Sequence, residues 1–128
     1  MPHIMIDYSA NLEDAVDMPA LCDCLRRTGI ATGVFPMAGI RVRAFRADHV
    51  SIADGDARHA YMDISVRLRG GRSFEARKAA TEKLFAAARE FLAPIIAEWP
   101  FALSMEMRDI DPELSPKLNT IRDHLQEG

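Results

Sequence analysis

The stretch Ala60-Tyr61-Met62-Asp63-Ile64-Ser65-Val66-Arg67-Leu68-Arg69-Gly70-Gly71-Arg72-Ser73-Phe74 decides the fold. Ala60, Met62, Ile64, Val66 and Leu68 alternate with Tyr61, Asp63, Ser65 and Arg67, the period of two that puts every apolar side chain on one face of a strand. Gly70-Gly71 breaks that strand, and Ser73 is placed to cap a helix, because its hydroxyl can accept from a free N–H of the first turn. Phe74, Arg77, Ala80, Leu84, Ala87, Phe91 and Ile95 then trace a stripe along a helix running to about Trp99, with Pro94 bending its last turns. Phe101, Leu103, Met105 and Met107 alternate with Ala102, Ser104, Glu106 and Arg108 as another strand, which Asp111-Pro112 ends. A short helix from Pro116 to Leu125 finishes the chain.

The same order precedes this unit. Ile4, Ile6 and Tyr8 alternate with His3, Met5 and Asp7 as a first strand. Ser9-Ala10-Asn11 then offers caps for a helix whose apolar positions are Leu12, Ala15, Val16, Leu21, Cys22 and Leu25. Pro19 removes a backbone donor, so this helix either kinks there or begins at Asp17, and it ends between Gly29 and Gly33. Gly33-Val34-Phe35-Pro36 is a turn, and Ile40, Val42 and Ala44 alternate with Arg41 and Arg43 in a strand that is apolar on one face and basic on the other. Ala53-Asp54-Gly55-Asp56 is a loop tip.

Laid over one another at an offset of 62 residues, the two units coincide, Asn11 on Ser73 and Gly39 on Phe101. The expected fold is therefore α/β (α+β): two fused β-α-β repeats forming a four-stranded mixed sheet with two helices on one face. It fills a single domain, 1–128, with repeat one at about 2–56, repeat two at about 57–111 and a C-terminal tail at 112–128. Two helices cover one face only, so the other is expected to be covered by neighbouring copies in a homo-oligomer.

Composition narrows the function. The 128 residues are 48% hydrophobic and 27% charged, ordinary values for a folded globular chain. Sixteen basic against 19 acidic residues give a net charge of -3, which argues against a nucleic-acid surface or a polybasic membrane patch. The start, Met1 to Asp7, has neither the basic region nor the apolar run of a signal peptide, and with no disulfide framework the expected location is cytoplasmic. Cys22 and Cys24 are idle thiols, the methionines fill the core, and His3, His49, His59 and His124 lack ligand spacing, so no metal is expected. No phosphate-binding or dinucleotide-binding glycine motif is present.

Pro2 is different. Removal of Met1 would leave a secondary amine at the start of a strand, a base that needs no side chain. A free α-amino group titrates at about 7.7 to 8.0, and burial or nearby cations favour its neutral form. Arg41 on its strand face and Arg72 ahead of a helix N-terminus suit carboxylate binding.

Pro2-His3, Gly33-Val34-Phe35-Pro36-Met37-Ala38-Gly39-Ile40-Arg41, Ala53-Asp54-Gly55 and Gly71-Arg72-Ser73-Phe74-Glu75-Ala76-Arg77 together resemble the 5-carboxymethyl-2-hydroxymuconate isomerase family of the tautomerase superfamily. The resemblance runs from Pro2 nearly to the end and is loosest around Ser115-Pro116. It implies a homotrimer of fused repeats in which Pro2 carries a proton from an enol oxygen to a distant carbon. Pro2, Arg41 and Arg72 match its catalytic and carboxylate-binding positions, and Phe35 and Met37 are expected to wall the pocket. The expected substrate is a small dienol carboxylate, 5-carboxymethyl-2-hydroxymuconate or similar, and no cofactor is required. At the same offset Arg72 falls opposite Ala10 and Pro2 opposite Ile64, which gives one complete site per chain. The alternatives are another reaction of the superfamily, such as phenylpyruvate tautomerisation, dehalogenation or decarboxylation, and a non-catalytic ligand-binding trimer if Met1 is retained.

Overall fold

A computed structural model describes residues 2–125. The alternating stretches are the strands β1 (His3–Ser9), β2 (Arg41–Ala47), β3 (Ala60–Arg69) and β4 (Phe101–Ile110). They form one sheet in the order β2-β1-β3-β4. The β1–β2 and β3–β4 pairs are parallel, and β1 and β3 meet antiparallel at the centre with Ile6 opposite Ile64. The sheet is mixed, as the two-unit reading expects: each parallel pair is closed by its own helical crossover.

The crossovers are α1 (Met18–Ala31) and α2 (Phe74–Phe91), the latter continued by the short α3 (Ala93–Glu98). Asp17 caps α1 by accepting from the Ala20 N–H at 3.0 Å, and Pro19 sits in the first turn, where its missing donor costs nothing. Of the two starts the sequence allowed, the one at Asp17 is therefore found. Ala10–Leu12 forms a separate single turn of 3-10 helix. The predicted helix to Trp99 is broken at Leu92, just ahead of Pro94, whose ring excludes the preceding turn from regular helix.

Two expectations are corrected. The helix caps, Asp17 and Ser73, lie 56 residues apart rather than 62, because the residues between β1 and α1 form a 3-10 turn and a loop instead of the start of the helix. The predicted helix over 116–125 is absent from the described residues; the tail instead makes 3-10 turns at Pro112–Leu114 and Ile121–His124. Leu114 is 79% and Leu118 90% exposed, so no buried apolar stripe offsets the cost of nucleating a helix there.

The core lies between the helices and one face of the sheet. Ile4, Ile6, Met62, Ile64, Val66 and Leu68 point into it, against Leu21 and Leu25 of α1 and Ala80, Leu84 and Ala88 of α2. Leu84 is fully buried, and Leu84→Ala is expected to destabilise the protein by about 2 to 5 kcal/mol through lost burial and the cavity left behind, read as a lower urea midpoint at unchanged m-value.

The opposite face, which no helix covers, is mostly polar, with Met5 and Phe45 among its side chains. The Tyr61 hydroxyl donates to Asp7 at 2.6 Å, Ser104 to Asp63 at 2.7 Å and Arg108 to Ser65 at 3.1 Å across the strands. Exposed apolar side chains include Phe45 on this same face, at edge strand β2, and Leu114, Leu118 and Ile121 of the tail.

Candidate active site

Pro2 stands immediately before β1, and its carbonyl accepts the Arg41 N–H at 3.2 Å. That bond starts the parallel ladder and fixes Pro2 at the end of the sheet where β3 finishes. Pro2 is under 2% exposed and borders a cavity of about 470 Å³. Met1, whose removal would free the Pro2 nitrogen, lies outside the described residues.

Arg72 reaches the same cavity from the link between β3 and α2. Gly71 adopts φ +108°, a conformation costly for any residue with a Cβ, and Ser73 accepts the Ala76 N–H at 3.1 Å. A glycine hinge on one side and a helix cap on the other thus aim Arg72. Arg69 from the end of β3 and Lys117, Asn119 and Arg122 from the tail complete the polar lining, and no carboxylate side chain lines the cavity among the described residues.

Arg41 does not line this cavity. Its side chain borders a neighbouring one of about 340 Å³ with His3 and Arg67, and the two cavities share Lys117 and Leu118. The reason is strand parity: Arg41 pairs with His3 in the ladder, and both project from the polar face of the sheet, one residue away from Pro2. Phe35 is 2% exposed and belongs to the core, where it packs beside Gly29. Met37 is 57% exposed on the surface. Neither walls the Pro2 cavity within one chain; nearness to Arg41 in sequence did not carry over to the pocket.

His3 is held between cations. Arg41 Nη1 lies 3.3 Å from His3 Nε2 and Arg43 Nη1 lies 3.2 Å from Nδ1. A neutral imidazole has one acceptor nitrogen, so it can accept from only one of them. Burial first, then the charges of Arg67, Arg41 and Arg43, bring its pKa down to about 4. Between about pH 4 and 6.5 the unfolded chain binds a proton at His3 that the folded chain does not, so this group makes stability rise with pH across that window. The expected result is that His3→Gln flattens the slope of Tm against pH between 4 and 6.5 relative to wild type; parallel profiles would show that His3 titrates normally.

Comparison with known proteins supplies the family. The model of the family described as 5-carboxymethyl-2-hydroxymuconate isomerase matches residues 2–125. The chain belongs to that family. It is an isomerase of the tautomerase superfamily. The 5-carboxymethyl-2-hydroxymuconate Delta-isomerase of Escherichia coli is 35% identical over 121 residues, spanning 94% of this chain and 96% of that enzyme. A crystal structure of a 5-carboxymethyl-2-hydroxymuconate delta-isomerase superposes with a TM-score of 0.92 at 29% identity, covering 100% of this chain and 95% of that one. The isomerase from Deinococcus radiodurans R1 gives 0.89 at 28% identity, covering 98% and 95%.

Arg69 and the tail residues were not singled out from the sequence. Arg69 had a signal, since Arg67, Arg69 and Arg72 crowd the end of one strand. Lys117, Asn119 and Arg122 had none, because they fall in a stretch that reads as a terminal helix and carries no binding motif. No helix among the described residues is long and apolar enough to cross a membrane.

Proposed function

We propose that this isomerase converts 5-carboxymethyl-2-hydroxymuconate, or a similar dienol carboxylate, to its unsaturated ketone by proton transfer through the nitrogen of Pro2. One observation carries the reading: a buried proline at the start of a central strand borders a cavity lined by four cationic side chains and no carboxylate among the described residues. Burial and those cations disfavour an ammonium at Pro2, so the freed amine is neutral and able to act as a base. It takes the 2-hydroxyl proton of the dienol and returns a proton to the remote carbon, serving as base and then acid. Arg72 holds the carboxylate beside the reacting enol and stabilises the negative charge that grows on the dienolate oxygen.

Arg41 keeps a place in the proposal as a carboxylate ligand presented from the neighbouring cavity. Phe35 and Met37 do not keep theirs. We read the chain as one domain of two fused β-α-β halves with a tail, assembling as a cytoplasmic homotrimer; exposed Phe45, Leu118 and Ile121 supply apolar surface for subunits to cover. No cofactor enters the proposed steps.

The test is turnover in deuterium oxide. The ultraviolet band of the dienol is expected to give way to that of the ketone, with one deuterium at the newly saturated carbon. A protein whose mass shows Met1 removed, yet which leaves the dienol to ketonise at the rate of buffer alone, overturns the reading.

A further inference from the structure

The 470 Å³ cavity contains more positive charge than one carboxylate can balance. Arg69 and Arg72 approach from the end of β3, on the wall that also bears Pro2, whereas Lys117 and Arg122 approach from the tail. None of these four side chains forms a salt bridge among the described residues. Four like charges facing one cavity repel each other, and a bound anion relieves that repulsion in proportion to its charge.

The tail is tied to the body of the protein by a specific contact. Asn119 Nδ2 donates to the Ala38 carbonyl at 2.7 Å, and its Oδ1 accepts the Ile121 N–H at 2.9 Å. That one amide bridges the segment between Lys117 and Arg122 to the turn before β2, in a tail that buries no apolar residue. Lys117 also borders all three cavities that meet along this segment.

We propose that the tail is a substrate-selecting arm, in which Lys117 and Arg122 bind the substrate carboxylate farthest from the reacting enol, so that the site prefers di- and tricarboxylates over monocarboxylates. The assignment deepens the isomerase reading and rests on it for the orientation of the substrate: Arg72 takes the end beside Pro2, and the tail takes the other. Each charge-assisted contact of this kind is expected to change affinity by about 10- to 100-fold.

Muconate and sorbate separate the cases, because they share a six-carbon diene carboxylate and differ only in whether the far end is a carboxylate or a methyl group. Calorimetric titration of the intact protein is expected to show wild type binding muconate at least 10-fold tighter than sorbate. In the Lys117→Met/Arg122→Met variant muconate affinity should fall to near that of sorbate, with a much smaller loss for sorbate, and Lys117→Arg should keep the preference. Both side chains are exposed, so the variant is expected to keep the wild-type Tm. Equal loss for both ligands would make the tail merely structural. A preference absent from wild type, or retained by the double variant, would also overturn the assignment. Binding is measured without turnover: a protein that shows the preference but does not ketonise a dienol sinks the proposed Pro2 reaction and leaves the selecting arm standing.

Discussion

Pro2→Ala is expected to lower kcat by about 10²- to 10⁴-fold with the fold and assembly intact, the range that a positioned acid–base group contributes to a proton transfer. The structure makes this substitution clean. The contact that anchors residue 2 is its carbonyl, which accepts the Arg41 N–H, and alanine keeps that carbonyl. What alanine loses is the ring that fixes the nitrogen in direction and keeps it under 2% exposed. The replacement is a primary amine on a chain end free to turn toward water, where its charged form is better solvated. The pH profile adds an independent reading. A free amine of ordinary pKa would give a rising limb of kcat/KM centred at about 7.7 to 8.0, and burial among cations should move that limb lower in wild type. Pro2→Ala should lose rate and carry its limb back toward the ordinary value. An unchanged kcat in the variant, or a wild-type limb at or above the ordinary amine value, would remove Pro2 as the proton carrier.

The fold was legible because its signals are local and redundant. Five apolar residues from Ala60 to Leu68 alternate without a fault, and each lands buried against the helices. The errors arose where a residue type serves two purposes. Asn11 looks like a cap, yet its side chain donates to the His59 carbonyl at 2.8 Å and ties the turn after β1 to the start of β3. The cap in use is Asp17, and with it the repeat offset changes. The candidate site was legible only in the part built on strands and a helix start, Pro2 and Arg72. Phe35 lay near the right motif but in the core, since sequence nearness does not say which side of a turn a ring enters. Arg41, grouped with Pro2 by its charge and by the family resemblance, sits one rung away in the ladder, and adjacent rungs of a pleated sheet face opposite ways. The tail's contribution was invisible, because the contact that holds it spans 81 residues and involves one amide and one carbonyl.

Arg72→Ala is expected to lower kcat by about 10²- to 10³-fold and to raise KM as well, the loss seen when a preorganised donor to a developing oxyanion is removed. The two effects arise from two roles. Holding the substrate carboxylate contributes equally to ground state and transition state and appears in KM; meeting the charge that develops on the enol oxygen appears only in kcat. Arg72→Lys keeps the charge but not the planar fork, so it should restore KM further than kcat. Stability provides the control: Arg72 is exposed and forms no salt bridge among the described residues, so Arg72→Ala should shift unfolding by less than about 0.5 kcal/mol. Ser73→Ala reverses that pattern, since losing the cap that accepts from Ala76 should cost about 1 kcal/mol of stability. Should Arg72→Ala destabilise the fold as Ser73→Ala does while kcat stays at the wild-type value, the arginine is an element of the β3–α2 link and not of the site.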